Sequence, residues 1–382
     1  MILDGEWILI MSLIRSTMMV AAVAADAVTE GGLYMWGTNT YGGLGDGTTT
    51  GRSSPVQIGS DTTWTYLSGG SSFTIATKTD GTLWSWGYAN SFRTGLDTNE
   101  TNYSSPVQIN DATDWSGASL SGGEQGGGGV KEDGTLWTWG RAPPNGEPGT
   151  YESVPVQIGS LTDWKKIATG KRGAHAVKTD GTLWVWGVSD DGVQGLGDDA
   201  EPLYSPVQVG SLTDWKHVGR SRTHDLVMAT KTDGTLWGWS INTYGVLGQG
   251  NTTTYSSPVQ VGSLTDWDTV ECGRDTMYAL KTDGTIWSCG EGGTGALGDS
   301  TLIDKSSPVQ IGSATDWVQI SAYNAGGLAR TSSGTIYSWG TNTSGQLGLG
   351  DRIDRSSPSQ IGSETDWVHI AAMSSHAGGI RE

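Results

Sequence analysis

Five cations in the middle of the chain have the plainest capacity for chemistry: Lys171, Arg172, Arg220, Arg222 and Arg274. Arg172 to Arg222 is 50 residues and Arg222 to Arg274 is 52, so a chain that repeats with this period sets them side by side as a basic arc. Guanidinium groups so arranged offer paired donors to a carboxylate, a phosphate or an acidic partner; the alternative is ordinary solvated charge. A second set, Tyr88, Tyr103, Tyr151, Tyr204, Tyr244 and Tyr255 with Phe92, Arg93 and Arg141, has the aromatic and arginine character favoured in protein interfaces. Scattered surface tyrosine is the alternative there.

Catalytic chemistry is poorly represented. The five histidines are His175, His217, His224, His369 and His376, and no HExxH, GxSxG, P-loop or EF-hand pattern occurs. His175 and His376 are read as sharing one place in the repeat described below and as making structural hydrogen bonds. Eleven of the 40 acidic residues belong to two turn motifs, before Trp or before Gly, so no carboxylate pair stands out for glycoside hydrolysis. No catalytic residue, metal or cofactor is assigned, and an enzyme is not expected. Cys272 and Cys289 fall on strands separated by a third, roughly 9 to 10 Å apart; a disulfide needs Cα atoms within about 7 Å, so none is expected.

The chain of 382 residues carries 22 basic and 40 acidic side chains, a net charge of −18. That balance argues against general affinity for nucleic acid or anionic lipid. No run of 18 uncharged apolar residues is present, so no membrane span is expected. The 60 glycines have no three-residue period, which excludes collagen. Nineteen Trp against two Phe point instead to one Trp-bearing motif copied many times.

The elements that must position these residues follow from that motif. Asp-Gly-Thr-Leu/Ile-Trp-x-Trp-Gly stands intact at 80–87, 133–140 and 180–187, with small departures at 233–240, 283–290 and 333–340, and truncated at 32–37. Thr-Asp-Trp recurs seven times, with small variations, at Trp64, Trp115, Trp164, Trp215, Trp267, Trp317 and Trp367, preceded each time by Pro-Val-Gln-Ile/Val or a close variant. These positions hold 18 of the 19 Trp, leaving out Trp7. Each unit reads as four short strands: A after Thr-Asp-Trp, B before an Asp-Gly hairpin turn, C through Leu-Trp-x-Trp-Gly, and D at Pro-Val-Gln-Ile. The two Trp of strand C are two residues apart, share a face, and are read as blade-to-blade packing. Seven four-stranded units predict an all-β, seven-bladed propeller. Because the chain begins with C and D and ends with A and B, both termini are expected to close the last blade, two strands plus two, leaving no open edge.

Seven units of about 50 residues, with Gly-Gln-Leu-Gly-Leu-Gly-Asp at 345–351 after the Trp motif, resemble the regulator of chromosome condensation (RCC-type) repeat family over about residues 31–382. The near-identity of the copies resembles bacterial and phage members in particular. WD and Kelch propellers fit worse. The founding eukaryotic member is a chromatin-bound exchange factor for a small GTPase with a basic N-terminal tail, whereas residues 1–19 here hold one Arg and two acids. The Trp-bearing turn motif of a plant ultraviolet-B photoreceptor of the family is absent: the corresponding turns read Gly170-Lys171-Arg172-Gly173 and Gly219-Arg220-Ser221-Arg222.

Comparison of the repeats with one another separates two faces. The B–C and D–A connections are nearly monotonous, while the A–B and C–D connections differ in every copy, so binding is placed on the A–B/C–D face; drift of longer loops is the alternative. Residues 1–30 form an N-terminal extension and 31–382 the propeller. The extension is read as a weak signal peptide, a segment docking to a larger assembly, or an overextended start before Met11. The reading is a non-catalytic binding or scaffold propeller outside the cell or on a phage virion, recognising a protein or glycan. The alternative is an intracellular regulator of the founding type, a guanine nucleotide exchange factor.

Overall fold

The computed structural model describes residues 29–141, 150–188, 190–197 and 201–382, and of 116–118 the backbone only. The N-terminal extension therefore lies almost wholly outside the described residues. Seven antiparallel sheets of four strands each form the ring. Blade 1 comprises strand A at Trp64–Gly69, B at Phe73–Lys78, C at Leu83–Gly87 and D at Tyr103–Gln108. Blades 2 to 6 follow at 115–157, 164–208, 215–260, 267–310 and 317–360. Blade 7 joins the ends, in the order Arg52–Gln57, Gly32–Gly37, His376–Arg381, Trp367–Ala372. Its closing seam runs in continuous register from Gly32↔Arg381 to Gly37↔His376. The only helical turn among the described residues is 3-10, at Asn90–Phe92.

The Asp-Gly-Thr-Leu-Trp motif folds as a chain of hydrogen bonds. Gly81 takes φ +75°, and Asp80 Oδ1 accepts from Thr82 N at 3.0 Å and Thr82 Oγ1 at 2.6 Å. Trp84 Nε1 then donates to Thr82 Oγ1 at 2.8 Å. A Cβ on Gly81 would lie 2.1 Å from the Thr113 carbonyl of the following D–A loop, so glycine is required by contact as well as by φ.

Beside the turns of blades 1 to 5 the last lysine of strand B lies over two indoles. Lys78 Nζ is 4.6 Å from the Trp64 ring and 3.8 Å from the Trp84 ring, and pairs with Asp61 at 2.7 Å. Lys131, Lys178, Lys231 and Lys281 repeat this arrangement in blades 2 to 5. Arg381 takes the place in blade 7 over Tyr34 and Trp367, and Thr331 in blade 6. The monotony of the B–C/D–A face is thus a cation–π and ion-pair scaffold.

The core consists of seven clusters, one between each pair of neighbouring blades. At four boundaries the second Trp of strand C provides a hydrogen-bonded link. Trp86 Nε1 donates to the Gly43 carbonyl in the C–D loop of blade 7 at 2.9 Å, Trp36 to Gln346 at 2.9 Å and Trp139 to Arg93 at 2.9 Å. Cys272 and Cys289 are buried free thiols.

Candidate protein-binding face

The A–B turns and C–D loops leave the ring on the same side. Three C–D loops are organised by a buried asparagine: Asn39 Oδ1 accepts from Leu44 N at 2.9 Å, and its Nδ2 donates to the Thr48 and Thr50 carbonyls at 3.0 and 3.2 Å. Asn242 and Asn342 act in the same way on Leu247 and Leu347. The tips vary on a fixed base.

The five cations do not form a free arc. Backbone bonds from Gly170 to Gly173, Ser221 to Leu226 and Gly273 to Thr276 align the turns, so Lys171, Arg222 and Arg274 are equivalent and Arg172 lies one residue further on. The blade 4 turn is two residues longer. Arg172 pairs with Asp190. Lys171 and Arg220 flank the buried Asp225 carboxylate at 4.0 and 3.9 Å, and burial raises the pKa of Asp225 against the pull of both cations. Arg274 Nε donates to His224 Nε2 at 2.8 Å, and His224 Nδ1 lies 3.0 Å from Asp275. The rim is therefore charge-compensated.

Arg222 behaves differently. Its Nε donates to the Gly69 carbonyl of blade 1 at 3.0 Å and its Nη1 to the Ala322 carbonyl of blade 6 at 3.1 Å. Beside it, Thr223 Oγ1 bonds Asn324 Oδ1 at 3.3 Å. The longer turn of blade 4 carries this side chain over the mouth of the axial channel, where it is a strut across the ring.

The aromatic residues divide as well. Tyr103, Tyr204 and Tyr255 lie half-buried in D strands, Tyr103 and Tyr255 packing on the inter-blade cores, and Tyr244 is half-buried in its loop. Tyr88 stacks on Tyr41 of blade 7 with centroids 4.1 Å apart, and the Arg93 guanidinium lies 4.5 Å from the Tyr88 ring. Phe92 faces Tyr151 at 6.3 Å, with Arg141 6.0 Å from the Tyr151 ring. Tyr41 and Tyr151 are 38% and 40% exposed. Blades 7, 1 and 2 thus share an aromatic sector, and the C–D loops of blades 5 and 6 add exposed Leu302, Ile303 and Ile353. Arg93 itself is buried: it donates to the carbonyls of Asn90, Ser71 and Glu124 and ties its loop to two A–B turns. Tyr41 escapes a reading by spacing, although Asn39-Thr40-Tyr41-Gly42 repeats Asn242-Thr243-Tyr244-Gly245.

The histidine expectation needs correction. His376 begins its strand opposite Gly37, whereas His175 stands opposite Val185, two residues further along. His376 Nε2 bonds Thr74 Oγ1 at 3.0 Å. His175 packs edge-on against Trp239, with the Val193 backbone as its hydrogen-bonding neighbour. Among the described residues no cluster of His, Cys, Asp and Glu could hold a metal ion, and no helix is long and apolar enough to cross a membrane.

A sequence profile described as the regulator of chromosome condensation (RCC1) repeat matches residues 30–77, 233–280, 283–322 and 333–380, and a second of the same description matches 317–346. The chain belongs to the RCC1 repeat family. RCC1-type rings among solved structures include Prp20p from Saccharomyces cerevisiae, described with its binding to Gsp1p and histones, at 17% identity and TM-score 0.81 over 93% of both chains. Human WBSCR16 matches at 18% identity and TM-score 0.80, over 92% of this chain and 99% of that one. Yeast RCC1 (Prp20) bound by Kap60 matches at 18% and 0.79, over 92% and 90%. At these identities the likeness is one of fold. No curated protein matches the sequence. The expected affinity with bacterial or phage members of the RCC1 family is not borne out, and these three structures come from yeast and human.

Proposed function

We propose that this RCC1 repeat protein is a non-catalytic propeller that binds another protein through the aromatic sector of blades 7, 1 and 2, as an intracellular regulator of the exchange-factor type. The observation that carries the reading is the Tyr41–Tyr88 stack beside Phe92 and Tyr151 on loops held by Asn39 and Arg93. Amphipathic rings fixed on a rigid base are the elements from which interface hot spots are made. Prp20p is described with Gsp1p, histones and Kap60, which supports a protein partner over a glycan; nothing comparable supports display on a virion or outside the cell. A net charge of −18 favours approach to a basic partner surface.

The test pairs the protein with a small GTPase carrying a fluorescent guanine nucleotide. Accelerated nucleotide release supports exchange, and binding without release reduces the reading to a scaffold. Changing Tyr41, Tyr88 and Tyr151 to Ala is expected to weaken that partner's affinity at least about tenfold without altering the far-ultraviolet spectrum. Unchanged affinity overturns the assignment of the face.

A further inference from the structure

The innermost strands of the seven blades line an axial channel. Inside it is a cavity of about 100 Å³ whose lining includes Tyr66, Lys166, His217, Glu271, His369 and Arg222. A single water requires roughly 10–15 Å³, so the space suits several waters or one compact polyatomic ion. The charged groups face one another across it without meeting. Lys166 and Glu271 feel each other's charge, yet neither makes an ion pair or hydrogen bond with the described residues. Arg222 spends its Nε and Nη1 on backbone carbonyls at the A–B end. His217 is 8% exposed and its Nδ1 has no partner; burial, with Lys166 adding, keeps the ring neutral.

Unpaired charge in such a place is unfavourable unless something bridges it. Three cations line the cavity; Arg220 is paired with Asp225 at 3.9 Å, and Lys166 and Arg222 are left with one carboxylate, Glu271, which makes a net positive site at the centre of an acidic protein. We propose that the axial cavity binds a small protonated oxyanion of the inorganic phosphate type, with Lys166 and Arg222 balancing its charge, His217 Nδ1 as a third donor, and the Glu271 carboxylate accepting its O–H. Glu271 gives the site its selectivity. A carboxylate is a hydrogen-bond acceptor, so it welcomes an oxyanion that carries a proton and repels sulfate, which carries none near neutral pH.

Isothermal titration of the full chain near neutral pH with inorganic phosphate, sulfate and malonate tests the site. Phosphate is expected to bind at least about tenfold more tightly than sulfate. Lys166→Met should lower phosphate affinity at least about tenfold, and Glu271→Gln should raise sulfate affinity by about the same factor and erase the preference. Circular dichroism checks the fold of each variant, and Glu271→Gln provides a gain of binding that misfolding cannot mimic. Absence of phosphate binding, phosphate affinity unchanged in Lys166→Met, sulfate bound as tightly as phosphate by the unaltered protein, or binding confined to malonate each overturns the proposal.

Discussion

Arg222 Nε donates to the carbonyl of Gly69 across the ring axis at 3.0 Å, joining residues 153 apart in sequence. With its second bond to Ala322, it links blade 4 to blades 1 and 6 independently of the closing seam. Replacing Arg222 by Ala leaves two carbonyls without their charged donor, and is expected to lower unfolding free energy by about 1–3 kcal/mol. Arg222→Lys, whose compact ammonium lacks the reach of the planar guanidinium fork, should recover only part. Urea denaturation measures both; equal stability of the three proteins would show that the strut carries no load.

Glycine and tryptophan are coupled across five of the blade boundaries, which is testable at one pair. Gly348 has φ +74°, and a Cβ there would lie 2.8 Å from Trp36 Nε1, the donor to Gln346 in the same loop. Gly59 has φ +65° with nothing within 4 Å of a Cβ. Gly59→Ala should therefore cost only the backbone penalty, about 1 kcal/mol, and Gly348→Ala distinctly more, about 2–4 kcal/mol, through the displaced indole. Thermal melts of the two variants decide the matter.

Blade 6 lacks the lysine that five other blades hold over their aromatic pair. Thr331 stands there, beside Trp317 and Tyr337, whose rings meet edge-on at 5.2 Å. Where the lysine is present, as at Lys178 over Trp164 and Trp184 with Asp163 at 3.4 Å, changing it to Met should cost about 1 kcal/mol. Thr331→Lys, with Asp316 available, should return roughly 0.5–1 kcal/mol. A melting temperature lowered by Thr331→Lys would mean that the site has closed around the smaller residue.

Buried histidines contribute to the response to acid, His175 and His217 among them, since burial holds both well below the ordinary value. Burial, reinforced by the charge of Arg222, pushes His376 down to about 3, and burial pushes His369 down to about 4. Both lie below the ordinary value of about 6.5, so the unfolded chain takes up these protons first. Their contribution to stability is full above pH 6.5 and is lost as pH falls toward 4 for His369 and toward 3 for His376, at roughly 1.4 kcal/mol per unit for each. Denaturant titrations at pH 7, 5.5 and 4.5 should show the decline, and His376→Gln should make it shallower. A slope unaltered by that change would remove His376 from the account.

The ring is legible in the periodicity of the chain. Spacing of Trp36, Trp86, Trp139 and their equivalents gave seven units, and the Asp-Gly turns gave their hairpins, because both are local or strictly periodic and so recur in a single chain. The missing A–B and C–D strands at the two ends announced the composite blade, which Gly32↔Arg381 closes. The roles of the cations were decided only by the tertiary structure. Arg172, Arg220 and Arg274 look like an arc by spacing, yet each meets Asp190, Asp225 or Asp275, and two extra residues in one turn send Arg222 across the axis. Likewise Lys166 and Glu271 are 105 residues apart and unremarkable in sequence; they share a cavity because strands at the ring's centre face one another. Periodicity fixes which residues lie on the same side of a blade, and only closure of the ring fixes which blades look at each other across the channel.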